Sequence, residues 1–265
     1  MKRISLIYSF IYLFLLQPVD VYAEETLDIV CTTTHLSAIA TAVGGESVKV
    51  ATLVPYGMCP GHFELTPAQV SDLQQADIIL AHGYEHFLDN LIQKTEIKID
   101  RLGIMGNAML PAIHIEIADK VTEILIRCEP SSKHLFLENS EQYKKEIRMA
   151  EREVKAMMPC FKDVFILCAE MNRTFLEWLG CTVVASFPRD EDLSLKNMRM
   201  VLIKAKQNKA QLVVDNLQSS GKTGKTFADE LQIPLIIITN FPSNNDYVAT
   251  LRHNCTSIFN ALGCN

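Results

Sequence analysis

The residue types and spacing best suited to chemistry lie in Cys59-Pro60-Gly61-His62-Phe63-Glu64-Leu65-Thr66-Pro67. A neutral imidazole held in one direction is a good ligand for zinc or another borderline transition ion. Cys59, three residues before His62, adds a soft donor, and Cys-x-x-His spacing suits a single metal. A disulfide or a buried thiol is the simpler reading of the same cysteine. The flanking residues are suited to holding His62 still. An apolar run over 48–54 and a Pro55-Tyr56-Gly57 turn precede the stretch, so it should leave a strand. A helix start follows it. Thr66 is a good N-cap, Pro67 suits the first helical position, and Gln69 completes a Thr-x-x-Gln capping box.

The elements that must position this loop alternate along the chain. Strands are expected over 27–31, 48–54 and 77–81, with helices over 36–43, 67–75 and 84–94. Asp77-Ile78-Ile79-Leu80-Ala81 is a short continuous apolar run, the pattern of a strand buried on both faces. Such a β-α-β order implies a parallel sheet with helices on both sides. Ligands then belong at the carboxyl ends of the strands. The His62 loop leaves such an end, and so do Thr32-Thr33-Thr34-His35 and His82. A helix over 115–126 and a long charged helix over 140–158, ending at Pro159, come next. The second half repeats the alternation, with strands over 164–167, 181–185, 211–214 and 234–238. Its helices are expected over 171–179, 194–207, 223–231 and 247–262. Two α/β halves joined by a helix suggest two lobes with a cleft.

Composition narrows the class. Met1-Lys2-Arg3, an apolar stretch over 4–16 and Val21-Tyr22-Ala23 describe a secretory signal peptide with cleavage near Ala23. The apolar run is short for a membrane span, so a periplasmic protein, not membrane-embedded, is expected. The net charge of -6 across 265 residues argues against nucleic acid as a partner. Eight cysteines are many for an exported chain. Cys255 and Cys264, close in sequence, are the local pair considered for a disulfide. Ser219 to Thr226 invites a phosphate-loop reading, but the glycine spacing fails from either Gly221 or Gly224.

With these residues in view, the chain resembles the zinc/manganese solute-binding proteins of metal ABC transporters, the cluster A-I receptor family. Thr52-Leu53-Val54-Pro55 leading to His62-Phe63-Glu64-Leu65-Thr66-Pro67 is similar to the family's LVP…PHxYEPTP segment. Residues 69–77 resemble the helix and Ala-Asp that follow it, and residues 83–91 a further family stretch. The resemblance implies two Rossmann-like lobes with parallel sheets, joined by one long helix, and a metal cleft between the lobes. It implies a signal peptide over 1–23, an N-terminal lobe over 24–137, a connecting helix over 138–159 and a C-terminal lobe over 160–265. It also implies capture of a zinc or manganese ion as transported ligand, delivery to an ABC permease, and no enzymatic activity.

The implied metal ligands are His62, Glu170, Asp215, His114, Cys59 and Asn240. Glu170 matches the position after the first strand of the second lobe, with Cys168 as competitor. Asn240 stands where the family has an aspartate, and Asp215 matches an acidic position at the cleft edge. The family's second histidine, in a PHxWLDP context, has no equivalent in Gly106-Asn107-Ala108-Met109-Leu110-Pro111, and His114 is its nearest substitute. His35, His82 and His86 are further imidazoles near the same sheet end, each more simply read as a core or surface histidine. Two alternatives stand beside the receptor: a binder of a metal chelate or other small ligand, and a secreted metal-dependent hydrolase. The second lacks any His-Glu-x-x-His motif.

Overall fold

A computed structural model describes residues 26–89, 98–219 and 221–264. The expected leader lies outside the described residues, as do residues 90–94 of the helix expected over 84–94, whose described part forms a 3-10 turn at His86–Leu88. In lobe one the order is β1 (Leu27–Cys31), α1 (Thr34–Gly44), β2 (Val48–Thr52), α2 (Pro67–Gln75), β3 (Ile78–Ala81) and β4 (Asp100–Arg101). Then follow α3 (Pro111–Cys128) and the long α4 (Lys133–Phe161). Lobe two holds β5 (Phe165–Ala169), α5 (Arg173–Trp178), β6 (Thr182–Phe187), α6 (Leu195–Gln207), β7 (Leu212–Asn216), α7 (Lys222–Leu231), β8 (Leu235–Ile238) and α8 (Tyr247–Ala261).

Each lobe carries a four-stranded parallel sheet, ordered β2-β1-β3-β4 in one and β6-β5-β7-β8 in the other. The two orders are the same pattern, so each first strand lies between its two successors. β3 is buried along its whole length, as its unbroken apolar run requires. The capping box at α2 is present in both halves. The Thr66 hydroxyl accepts from the Gln69 amide at 3.3 Å, and the Thr66 amide donates to Gln69 Oε1 at 3.0 Å.

α4 starts seven residues before the expected Ser140 and runs through Pro159 to Phe161. Among its buried positions, Phe136, Ser140, Tyr143, Ile147, Ala150 and Val154 are spaced by three and four. That spacing makes a single stripe along the helix, while Arg152 and Glu153 face solvent. At 1.5 Å per residue the helix is about 43 Å long. It packs against α1 and α3 of the first lobe and α8 at the end of the second. One apolar core runs without a break from Ile29 through the α4 stripe to Ile258.

The disulfide differs from the pair considered above. Cys160, at the end of α4, is bonded to Cys264, while Cys255 is a free thiol packed into the core of α8. Cys255 is buried within α8, whereas Cys264 lies beyond the helix end at Ala261, where the chain reaches Cys160.

Candidate functional site

The carboxyl ends of both sheets face each other across a cleft of about 560 Å³. Every strand feeds its wall. Lobe one supplies His35 after β1, Cys59 and Gly61 after β2, His82 and Tyr84 after β3, and Met105 to Ala108 after β4. Lobe two supplies Glu170 and Met171 after β5, Arg189 after β6, Asn216 at the end of β7 with Gln218 beyond it, and Asn240 and Phe241 after β8. This is the switch-point position that parallel sheets reserve for ligands.

Three buried histidines cluster on the lobe-one side. The His35 ring lies 6.3 Å from His82 and 5.4 Å from His114, centroid to centroid. His35 Nε2 is 2.7 Å from the Asn240 carbonyl of the opposite lobe. His82 Nε2 is 2.8 Å from the Thr33 hydroxyl. His114 stacks on Tyr247 at 3.6 Å and engages the Ala108 carbonyl and the Tyr143 hydroxyl. Burial disfavours the charged imidazole. It pushes His35 down to about 3, helped by neighbouring His82 and opposed by the Asn240 carbonyl. Burial likewise takes His82 down to about 4 against the pull of Glu85, and it holds His114 well below the usual range. All three are neutral near pH 7. Glu85 sits under this cluster, taking hydrogen bonds from Thr32 and from the backbone of His82 and Gly83.

The six candidate ligands divide in two. Cys59, Glu170 and Asn240 stand on the cleft wall. The Ser186 hydroxyl, with Arg173 beside it, keeps the Glu170 carboxyl below the usual range and therefore ionised. Asn240 turns its amide to Met171 O and Asn172 Oδ1, both at 3.1 Å. His62, by contrast, points outward. Its side chain is 61% exposed and meets Glu191 at 3.5 Å and Arg189 at 3.4 Å. Gly61 takes the place on the wall. The motif spacing agrees: set on Thr66-Pro67, the histidine of PHxYEPTP falls at Gly61 and His62 at the variable position. Counted from Pro111, the histidine of PHxWLDP falls in the same way at Gly106, also on the wall.

His114 is fully buried behind the wall with both nitrogens engaged. Asp215 is turned away from the cleft and spent on the fold. Its Oδ1 accepts from the Asn216 amide at 2.7 Å and its Oδ2 from the Gly224 amide of α7 at 3.1 Å. A Cβ on Gly224 would lie 2.3 Å from that oxygen. Gly224→Ala is therefore expected to lower stability by about 1–3 kcal/mol. Urea unfolding checks this, and an unchanged midpoint would show the contact to be slack.

Arg189 was not expected. Its guanidinium crosses the cleft mouth from lobe two and donates to the Cys59 sulfur of lobe one. Nothing in the local sequence distinguishes it except its place just after a strand. His35 and His82 carry the same mark, since each follows a strand end. Among the described residues no three His, Cys, Asp or Glu side chains converge closely enough to hold an ion.

Two α/β lobes of matching topology, joined by one helix and meeting at a shared cleft, define a two-lobed solute-binding receptor, a class of binding protein and not of enzymes. The chain belongs to the family of the periplasmic zinc-uptake complex component A, whose model matches residues 29–105 and 109–261. It is 21% identical over 284 residues to the manganese-binding lipoprotein MntA of Bacillus subtilis (strain 168), covering 91% of each chain. It is 19% identical over 283 residues to the manganese ABC transporter substrate-binding lipoprotein PsaA of Streptococcus anginosus, covering 92% of this chain and 91% of that one. The fold is shared with a crystal structure of ZnuA at a TM-score of 0.77 and 19% identity, over 89% of this chain and 99% of the other. A Mn-bound periplasmic metal-binding protein from Candidatus Liberibacter asiaticus matches at 0.76 and 18% identity, over 89% and 100%.

Proposed function

We propose that the chain is an extracytoplasmic receptor that captures a transition-metal ion, zinc or manganese, in the interlobe cleft and passes it to an ABC permease. The observation that carries this reading is the cleft itself, walled by residues from all eight strand ends and holding neutral imidazoles opposite an ionised Glu170. Membership of the zinc-uptake family and the names of its relatives support the cargo and the permease. Residues 1–23 are the export signal on this reading. No described helix is long and apolar enough to cross a membrane, which accords with a receptor that meets its permease from outside the bilayer.

A ligand that binds only the native state must raise its melting temperature. The purified protein, stripped with a chelator and then given zinc or manganese at about 100 times the dissociation constant, should gain about 2.7 kcal/mol. Thermal unfolding with and without each ion reads this directly. If neither ion binds or shifts the transition, the receptor reading is lost.

A further inference from the structure

His35 has one nitrogen committed and the other bare. A carbonyl only accepts, so the 2.7 Å contact with Asn240 O places the proton on Nε2 and leaves Nδ1 a lone pair. That Nδ1 is buried, on a residue of the cleft wall, and has no hydrogen-bond partner. A buried polar atom left so is unusual and points to a missing partner. His82 is the neighbouring imidazole on the same wall. It approaches His35 edge-on at 6.3 Å, and its Nε2 is likewise tethered, to Thr33. Metal-ligating histidines are commonly oriented in this way, with one nitrogen bound to a carbonyl or other protein group and the other free for the ion. Gly61 and Gly106 bring no donor side chain to the wall, so these two rings are the imidazoles that lobe one offers.

We propose that the cargo ion is gripped in this chain by the His35 and His82 imidazoles, as a borderline divalent transition ion such as zinc. The proposal rests on the receptor reading and adds its ligands. Two protein donors leave the other coordination positions to water or to whatever the ion carries in. Nitrogen donors suit zinc better than manganese, which prefers oxygen. Zinc–nitrogen bonds of about 2.0–2.1 Å at a tetrahedral angle bring two ring centroids to roughly 5 Å. The observed spacing is wider by roughly 1 Å. Binding therefore draws the rings together, and His35 takes with it its bond to Asn240 of the other lobe. His114 has no free nitrogen and acts as a packing support.

The test is zinc affinity of the purified protein, read by competition with a chromogenic chelator, for wild type, His82→Asn and His62→Ala. His82→Asn should weaken zinc by about 100-fold or more, and His62→Ala should match wild type. Zinc bound by wild type but equally by His82→Asn overturns the assignment and leaves the receptor reading intact. No zinc bound by wild type overturns both. X-ray absorption at the zinc edge of wild type decides the matter should His82→Asn fail to fold. Two imidazoles around the ion support the pair, whereas a sulfur neighbour or fewer than two imidazoles sinks it.

Discussion

Acidifying the metal-free protein from pH 6.5 towards pH 5 is expected to lower its stability steeply, before most carboxylates begin to protonate. Three histidines are buried in their neutral form, with His35 and His82 pushed down to about 3 and 4 and His114 also well below its ordinary value. In the unfolded chain each would titrate near 6.5. Between those values the unfolded state binds more protons than the native one, so stability rises with pH. The contribution is fully present above about pH 6.5 and is lost as pH falls through the window below it. Each such histidine adds a slope of about 1.4 kcal/mol per pH unit. Urea midpoints measured at half-unit intervals test this. A flat profile from pH 6.5 to pH 5 would mean that the cluster is hydrated and not buried.

Removing the Cys160–Cys264 disulfide should have an effect of comparable size. The bridge spans a sequence separation of 104 residues, enclosing the whole of lobe two, with Cα atoms 6.3 Å apart. In the chain-entropy account a closed loop of that length restrains the unfolded state by about 4–5 kcal/mol, and measured losses for native bridges run from about 2 to 5. The double variant Cys160→Ser, Cys264→Ser is expected to fall within that range in urea unfolding, and to melt lower by roughly 10 °C. Reductant should act on wild type in the same sense and leave the variant unmoved. Equal stability of the two proteins would show the bridge to be energetically idle.

Much of the frame is legible in the sequence. Continuous apolar runs such as 77–81 read as buried strands, and Thr66-Pro67-Ala68-Gln69 read as a capped helix start, because the forces that set them are local. The two-residue β4 escaped notice, since Asp100 and Arg101 form a strand only through their pairing with β3. The long helix, expected to end at Pro159, continues two residues further to Phe161. A proline removes one donor from an α-helix, and burial of Phe161 outweighs that loss here. The site was harder to read, for a physical reason. His62 looked like the anchor because a tightly held loop predicts a fixed side chain, but it does not predict which of two neighbours, Gly61 or His62, faces inward. His35 and His82 share one positional signal, each standing past a strand end. Their burial follows only from the convergence of eight separate loops and from Tyr247 closing over His114. Tyr247 is held there by its hydroxyl bond to the Met109 carbonyl at 2.8 Å, which joins segments 138 positions apart.

Because each of the eight strands gives only a few residues to the cleft wall, scaffold and specificity are under separate control. A change in one loop alters one sector of the wall while the sheets, the α4 stripe and the shared core keep their packing. On the proposed assignment the donors of this chain stand in the His35 and His82 sectors of the wall, while Gly61 and Gly106 leave theirs without a side chain. A chain 19% identical to a solved relative can thus keep its fold at a TM-score of 0.77 while its wall is rewritten sector by sector.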